Sequence, residues 1–231
     1  MTTAANTSPS FRLVYHDMYV AHQSAQLKEL FLRKPYQGVP PSEARFLFVG
    51  LDANYEATIA ESPIFKSVLE YHEDAVSFWR SHQVHHPFLL PGYSGGGRHY
   101  HRSFANIGFS PEHADQVSFV ELLDVPTVGR NVLTVHDLSA SHLRMINTAI
   151  LNGRASHIFV SATVRRLMRE SLMFSWLPRS PKDDSGPLGV LFEDSHRTVY
   201  SHLHFSVYGK FAARKAAQAD AIRDLITATK S

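Results

Sequence analysis

An aspartate follows a short apolar run in the stretch RFLFVGLDANYE, where Asp52 comes directly after Gly50 and Leu51. The run ends at a glycine, and this pattern is typical of a strand that is buried on both faces. A carboxylate can position water, act as a general base or attack as a nucleophile. Ligands of α/β sheets bind outside the carboxyl ends of the strands. Asp52 is therefore predicted to lie where such a protein keeps its reacting groups.

Two further strand-like stretches carry titratable residues near their carboxyl ends. VSFVELLDV contains Glu121, and RTVYSHLHF contains His202 and His204. Residues two apart in a strand face the same side, so both histidines can reach one crevice. The three stretches together predict carboxylates and imidazoles that converge at one edge of a sheet.

These residues need a scaffold in which strands alternate with helices. Apolar runs and helically spaced apolar residues predict an α/β fold, in which helices cover a mostly parallel central sheet. Predicted strands span residues 45–51, 117–125, 156–162, 190–194 and 197–205. Predicted helices span residues 17–34, 62–82, 163–174 and 209–230, with one more after Ser139 or Ser141. Predicted loops span residues 36–44 and the glycine-rich residues 85–101.

Composition bounds the class of protein. The chain has 231 residues, of which 44% are hydrophobic and 19% charged, and no repeat or linker divides it. We expect a disordered leader over residues 1–16 and a single domain over residues 17–231. Because the chain has no cysteine, disulfides, thiolate zinc sites, cysteine nucleophiles and iron–sulfur clusters are excluded.

Charge and targeting patterns bear on location and partners. The formal net charge of +2 permits an anionic partner such as nucleic acid without requiring one. No apolar run is long enough to span a bilayer, and the first residues lack the pattern of a signal peptide. We predict a cytoplasmic, monomeric protein that uses no cofactor and no metal.

Three motifs in order carry a resemblance to a known family. The stretch FVELLDVPTVGRN, followed by a helix and by SHIFVSATVRRLM, resembles the mismatch-specific uracil/thymine branch of the uracil-DNA glycosylase superfamily. FVGLDANY is similar to the first motif of that superfamily, and SHLHFSVYGKF is similar to its second motif. The resemblance covers residues 45–225. The residues that match the branch and the second motif are Leu122, Asp124, Pro126, Thr127, Val128, Ser206, Val207, Tyr208 and Phe211.

The resemblance implies a three-layer α/β/α sandwich and an enzyme that cleaves the bond between a flipped base and its deoxyribose in DNA. Asp52 takes the place of the carboxylate that positions water. His202 takes the place of the donor to the leaving base, with His204 in reserve, because a one-residue gap decides the register. Without the gap, Ser201 stands at the family histidine.

The rest of the implied site binds the base and the DNA. Gly50 and Leu51 flank the carboxylate, and Tyr55 and Tyr93 are placed to stack on a base. Phe205 aligns with a leucine that some family members insert into the duplex. The residues assigned to the DNA backbone are Ser206, Arg98 and Lys210.

The sequence departs from the family where the base is read. The uracil-specific branches have asparagine on the second strand, whereas this chain has Val120 with Glu121 beside it. An ionised glutamate accepts hydrogen bonds and donates none, so it suits a base that presents an amino group. The base therefore stays open, and a catalytically silent protein that binds nucleic acid or a nucleotide is the alternative.

Two other enzyme classes have weaker support. LDANYEAT faintly resembles the haloacid-dehalogenase motif, in which Asp52 would be the nucleophile of phosphoryl transfer. His82, His85 and His86 have helix-like spacing that suits a metal hydrolase, but no acid follows them at a diagnostic distance.

Overall fold

The computed structural model describes residues 19–129 and 132–228 of the chain. The predicted leader, residues 1–16, lies outside this range. The strands are β1 (Tyr36–Gly38), β2 (Phe46–Gly50), β3 (Asn54–Tyr55), β4 (Val117–Glu121), β5 (Thr127–Val128), β6 (His157–Ser161), β7 (Gly189–Glu193) and β8 (Thr198–His202). The α-helices are α1 (Ala25–Arg33), α2 (Phe65–Glu73), α3 (Ala75–His82), α4 (Arg98–Ala105), α5 (Ala140–Asn152), α6 (Ala162–Glu170) and α7 (Ala212–Thr227).

Six strands form a mixed sheet in the order β1-β4-β2-β6-β8-β7. The four inner strands β4, β2, β6 and β8 run parallel to one another, and β1 and β7 pair antiparallel at the two edges. β3 and β5 form a separate parallel pair. The prediction of an α/β fold is confirmed. The carboxyl ends of four neighbouring strands consequently meet at one edge of the sheet, here called the carboxyl edge.

Alternating side chains of the inner strands feed two apolar clusters. Leu47 and Val49 of β2 belong to a cluster with residues of α5 and α6. Phe46 and Phe48 belong to a second cluster, which includes residues of α3, α4 and α7. The central strand β2 is apolar along its whole length because both sets of its side chains are covered.

An aromatic ladder crosses the sheet on the side of the second cluster. The rings of Phe119, Phe48, Phe159 and Tyr200 stack in sequence from β4 to β8, with centroid distances of 5.4, 4.7 and 5.4 Å. The strand register places these four residues side by side. Each aromatic pair contributes about 0.5–1.5 kcal/mol beyond its buried area, so the ladder fixes the relative register of the four strands.

The helices differ from the sequence prediction at their ends. The predicted helix over residues 62–82 is two helices, because Asp74 leaves the helical conformation and caps α3, accepting from Val76 N (3.1 Å) and Ser77 N (3.0 Å). The predicted helix over residues 17–34 begins only at Ala25, after the cap Ser24. None of the described helices combines the length and the apolarity needed to cross a bilayer.

Two segments predicted as loops contain regular structure. Residues 36–44 contain β1, whose register with β4 pairs Tyr36 with Val120. The glycine-rich segment, residues 85–101, runs into α4, and Gly97 precedes that helix at a φ of +79°. A Cβ on Gly97 would also approach the Phe88 ring to 2.9 Å, so glycine is required there. A three-residue strand and a helix that begins directly after three glycines leave little hydrophobic periodicity in the sequence.

Truncating the centre of the ladder tests its contribution to stability. We expect Phe48→Ala to lower the free energy of unfolding by about 3–5 kcal/mol, because Phe48 is buried and contacts a ring on either side. The control Leu32→Ala removes a side chain that is 85% exposed and is expected to change it by less than about 0.5 kcal/mol. Urea denaturation measures both, and equal effects would contradict the packing described.

Candidate functional site

A row of four residues ends the parallel strands directly above the aromatic ladder. Glu121, Gly50, Ser161 and His202 are the last residues of β4, β2, β6 and β8. Glu121 pairs with Gly50, and Ser161 pairs with His202. Each residue stands two positions after a ring of the ladder, so all four face the same side of the sheet. Glu121 and Gly50, at one end of this row, form the floor of the candidate site.

The carboxyl group of Glu121 lies over Gly50. A Cβ built on Gly50 would stand 1.9 Å from Glu121 Oε2, so any residue larger than glycine displaces this carboxyl. On the opposite side of the strand, the His142 ring bonds the Glu121 carbonyl oxygen through Nε2 at 2.8 Å. Within the part of the chain that the structure describes, the Glu121 carboxyl makes no hydrogen bond and no ion pair. The strand therefore presents this carboxyl at a fixed place.

The environment of Glu121 favours its neutral form. Burial and, to a smaller extent, the charge of the neighbouring Asp52 carboxylate together raise the pKa of this carboxyl to about 8. Burial raises the pKa values of Tyr55, Tyr71 and Tyr100, and the charge of Glu121 adds a smaller effect in the same direction. Burial and the Asp52 charge therefore favour the protonated form of Glu121.

Asp52 is held two residues beyond the end of β2. The Thr127 hydroxyl donates a hydrogen bond of 2.6 Å to Asp52 Oδ2, and Thr127 itself is fully buried in β5. The Asn54 side chain donates to the same hydroxyl oxygen at 3.3 Å. Thr127 of β5 and Asn54 of β3 therefore hold the Asp52 carboxylate in place. The motif that contains Thr127 was visible in the sequence, but its contact with Asp52 was not.

Of the two candidate histidines, His204 is the neighbour of Asp52. Desolvation by the surrounding chain lowers the pKa of His204, and the Asp52 carboxylate opposes that effect. His204 Nδ1 accepts from Ser206 N at 3.3 Å and lies 2.6 Å from Ser206 Oγ. Because Nδ1 accepts, the ring proton of the neutral imidazole is on Nε2. His204 therefore offers one free N–H donor beside Asp52.

His202 points into a different environment. Its ring lies 5.0 Å from that of Phe205, and only 9% of the residue is exposed. It borders a cavity of about 10 Å³ together with Ser103, Lys215 and Gln218, which is room for about one water. Burial lowers the pKa of His202 to about 4, and its Nδ1 has no partner among the described residues. The predicted site thus receives Asp52, Glu121 and His204, whereas His202 faces α7.

The two tyrosines predicted to stack on a base pack inside the protein. The Tyr55 hydroxyl bonds His72 Nε2, and the Tyr93 ring stacks on Phe88 at 4.4 Å. Tyr93 also donates to the Gly96 carbonyl oxygen at 2.7 Å. Both tyrosines are about 4% exposed.

The glycine-rich segment is anchored next to the site by Glu56. The Gly96 N–H donates to Glu56 Oε1 at 2.8 Å. A Cβ on Gly95 would come within 2.2 Å of the same oxygen, so the glycine allows the close approach. Arg98, at the start of α4, donates to the Tyr93 carbonyl oxygen. Arg98 is therefore used to hold this segment.

Four histidines are buried near one another in the structure, and the sequence analysis did not predict this cluster. Its members are His72, His85, His86 and His101, here called the histidine cluster. His85 Nε2 lies 3.2 Å from His101 Nδ1, and the His86 and His101 rings stack at 3.5 Å. Burial lowers the pKa of each of the four, to about 3 for His72 and His85. All four are neutral at physiological pH and join α2, α3 and α4.

The three histidines considered for a metal site are not gathered. His82 contacts Glu70 at 3.1 Å, His85 bonds His101, and His86 accepts from Phe88 N at 3.2 Å. Across residues 19–129 and 132–228, no group of three or more His, Cys, Asp or Glu side chains is arranged to hold a metal ion.

The segment after β8 divides into buried and exposed parts. Phe205 is 5% exposed and packs against Phe48 and Tyr100. Ser206 and Lys210 are exposed, and Tyr208 is 78% exposed. The Lys215 ammonium holds this segment by donating to the Val207 carbonyl oxygen at 2.8 Å. The exposed residues form a rim beside Asp52 and His204.

Comparison with models of known protein families finds no match for this chain, and comparison with curated proteins finds none either.

The arrangement suits acid–base chemistry at a charged transition state. Two neighbouring carboxyl groups whose environments separate their protonation states supply a base and an acid at the same pH. Here Asp52 is the carboxylate and Glu121 the neutral acid. The Nε2–H of His204 adds a neutral donor.

Substituting Gly50 tests the position of the Glu121 carboxyl. We expect Gly50→Ala to lower the free energy of unfolding by about 1–3 kcal/mol, because the carboxyl must leave its place. In a Glu121→Ala background the cost should fall, giving a coupling energy of about 0.5–3 kcal/mol. Gly186→Ala is the control, since its Cβ meets only Leu188 O at 3.8 Å. Urea denaturation measures these free energies. If the effects of Gly50→Ala and Glu121→Ala on the free energy of unfolding are additive, the Glu121 carboxyl does not lie over Gly50.

The histidine cluster predicts acid sensitivity. Since the pKa values are lowered on folding, the unfolded chain binds more protons, and stability present above about pH 6.5 is lost as pH falls toward about 3. Each histidine contributes up to about 1.4 kcal/mol per pH unit to this loss. We expect His85→Gln to reduce the slope of the free energy of unfolding against pH by the contribution of one histidine. Urea titrations at several pH values measure this slope. The exposed control His99→Gln should leave the slope unchanged.

Proposed function

We propose that this protein hydrolyses the N-glycosidic bond of a damaged or mismatched nucleobase flipped out of DNA. It would be a divergent member of the uracil-DNA glycosylase superfamily, with the three-layer α/β/α sandwich of that family. One observation carries the proposal: Asp52 stands at the carboxyl edge between a neutral acid, Glu121, and a neutral imidazole, His204. The separated protonation states match the needs of glycosidic bond cleavage.

In this reaction Asp52 positions and deprotonates the attacking water. As the C–N bond breaks, its electron pair leaves with the base and positive charge develops on the sugar. The Asp52 carboxylate stabilises that charge and takes a proton from the water that attacks the anomeric carbon. The products are an abasic sugar with a hydroxyl and a base that takes up one proton. The Thr127 hydrogen bond holds the carboxylate in one orientation during the reaction.

His204, rather than His202, is the imidazole that this reaction uses. Its Nε2–H can donate to the departing base, where negative charge accumulates. Its Nδ1 is fixed by Ser206, so the orientation of the ring is set before the base arrives. The sequence favoured His202 and held His204 in reserve, and the electrostatic influence of Asp52 on His204 supports the reserve candidate.

The exposed rim supplies contacts to the DNA. Tyr208 and Phe211 are exposed aromatic side chains, and Lys210 between them carries a positive charge. Aromatic rings stack on unpaired bases, and lysines neutralise phosphates. The rim belongs to the segment that follows β8, so bound DNA lies over Asp52.

One observation favours the alternative of a catalytically silent protein that binds nucleic acid or a nucleotide. Tyr55 and Tyr93 are used for internal packing, so neither is available to stack on a base. Such a protein would bind DNA with a steep salt dependence and release no base.

Asp52→Asn separates the two functions. Oligonucleotides that carry uracil, hypoxanthine, xanthine or mismatched thymine are scored for abasic sites. We expect the wild type to release at least one of these bases and Asp52→Asn to be about 10²–10⁴-fold slower, because the base that activates water is removed. Asp124→Asn, a change at a partly buried aspartate near Tyr19, is the matched control and should keep its rate. Binding without release by the wild type would contradict hydrolysis and favour the alternative.

A further inference from the structure

The protein contains a small cavity that the proposed reaction does not use. It has a volume of about 10 Å³ and lies between the end of β8, α4 and α7. Its polar lining residues are Ser103, His202, Lys215 and Gln218, and the other residues of its wall are apolar. A cavity of this size holds one water molecule when two to four polar groups can bond it.

One nitrogen of His202 has no partner at this cavity. The residue is 9% exposed, and its Nδ1 is buried without a hydrogen bond to any described residue. Burial lowers the pKa of the ring to about 4, so the imidazole is neutral at neutral pH and one of its nitrogens is an acceptor. Buried polar atoms are nearly always hydrogen-bonded, and an ordered water serves where no protein group reaches them. The cavity places a water-sized space beside such an atom.

Lys215 has a donor to offer on the other side of the cavity. Its Nζ donates to Ser103 Oγ at 3.0 Å and to the Val207 carbonyl oxygen at 2.8 Å. An ammonium group has three N–H bonds, so one is left over from these contacts with described residues. A water can accept that hydrogen bond and donate to His202 Nδ1. Its second proton has acceptors in the side-chain oxygens of Ser103 and Gln218, which also line the cavity.

Helix α7 holds the chain on both sides of His204. Gln218 Oε1 accepts from Leu203 N at 2.8 Å, before His204, and Lys215 Nζ donates to the Val207 carbonyl oxygen, after it. The turn that carries His204 is therefore fixed at two points to one helix. The cavity lies beside both points, because Leu203, Lys215 and Gln218 all line it.

We infer that the cavity binds one long-lived water molecule that joins Lys215 Nζ to His202 Nδ1, and that Lys215 is a positioning residue for His204. The water connects α7 to the last residue of β8, and the direct hydrogen bonds connect α7 to the segment that follows. Only the effect on base release rests on the proposed function. The inference gives His202 a role as an acceptor in the scaffold, in place of the donor to the leaving base that the sequence predicted.

Counting internal waters tests the site directly. Oxygen-17 relaxation dispersion of the solvent detects long-lived internal waters, and labile protons do not contribute to it. Ala219→Val adds methyl groups at the wall of the cavity, whereas Ala216→Val makes the same change at an exposed position of α7. We expect Ala219→Val to lose one internal water and Ala216→Val to keep it. Equal counts in the wild type and both variants would overturn the water site.

Nitrogen-15 NMR of the His202 side chain tests the same site at the acceptor, with His202→Gln to assign the signals. At neutral pH we expect an unprotonated, hydrogen-bonded Nδ1 and a ring proton on Nε2 in the wild type. The Nδ1 signal should move toward that of a free acceptor in Ala219→Val and stay in place in Ala216→Val. A proton on Nδ1, or a signal that ignores Ala219→Val, would contradict the proposed link.

Lys215→Met tests the positioning role without reference to catalysis, because it keeps most of the side chain and removes the ammonium group. The Val207 N–H donates to the His204 carbonyl oxygen at 3.0 Å, so its hydrogen exchange reports on the turn. We expect its exchange rate to rise about tenfold in Lys215→Met, since local opening becomes easier. Exchange at Phe159 of β6 detects any global destabilisation. Lys28→Met, at an exposed lysine of α1, is the matched control. Unchanged exchange at Val207 would overturn the positioning role.

Base release separates positioning from phosphate binding. Under single-turnover conditions we expect Lys215→Met to release base about 10–100-fold more slowly, because a small displacement of a catalytic group is costly. The dependence of DNA affinity on salt should keep its slope, since Lys215 contacts no phosphate in this account. Lys215→Arg should recover part of the rate, because it keeps the charge and the donors. An unchanged rate with a shallower slope would make Lys215 a phosphate contact and reject the inference.

These outcomes are distinct from failure of the proposed function. Base release that depends on Asp52 but not on Lys215, together with unchanged exchange at Val207, retains the function and rejects the positioning role. A wild type that releases no base, but whose internal water and Val207 protection respond as expected, rejects the function and retains the water site and the hold of Lys215 on the turn.

Discussion

The close approach of the Glu121 carboxyl to Gly50 is the contact on which the candidate site depends. Four parallel strands end in register, and the register places a glycine beside a glutamate. Because glycine has no side chain, the carboxyl of the neighbouring strand can lie over it, next to Asp52. The aromatic ladder, two residues earlier in each strand, stabilises that register. The packing of the sheet therefore also positions the Glu121 carboxyl.

The same arrangement divides the buried titratable groups into two sets with opposite effects. The histidine cluster stays neutral because burial lowers its pKa values, and Glu121 stays neutral because burial and a carboxylate raise its pKa. Low pH reduces the free energy of unfolding through the first set, and high pH reduces it through the second. Strongly perturbed pKa values of this kind are common at functional sites, where they reduce stability.

Local patterns in the sequence predicted much of the scaffold and little of the site. The apolar run before Gly50 predicted β2, and the position of Asp52 after it followed from the behaviour of α/β sheets. The helix break at Asp74 and the three-residue strand β1 gave no periodic signal. The choice between His202 and His204 depended on where β8 ends, which side-chain spacing does not reveal. The histidine cluster joins residues 72–101 through tertiary contacts alone.

Carbon-detected NMR of the Glu121 side-chain carboxyl measures the protonation state of this group directly. The account predicts that the resonance titrates with a pKa of about 8 in the wild type, well above the ordinary value of 4.5, and with a lower pKa in Asp52→Asn. The second shift is expected because the repelling charge is removed. A Glu121 carboxyl that titrates near 4.5 and ignores Asp52 would contradict the account.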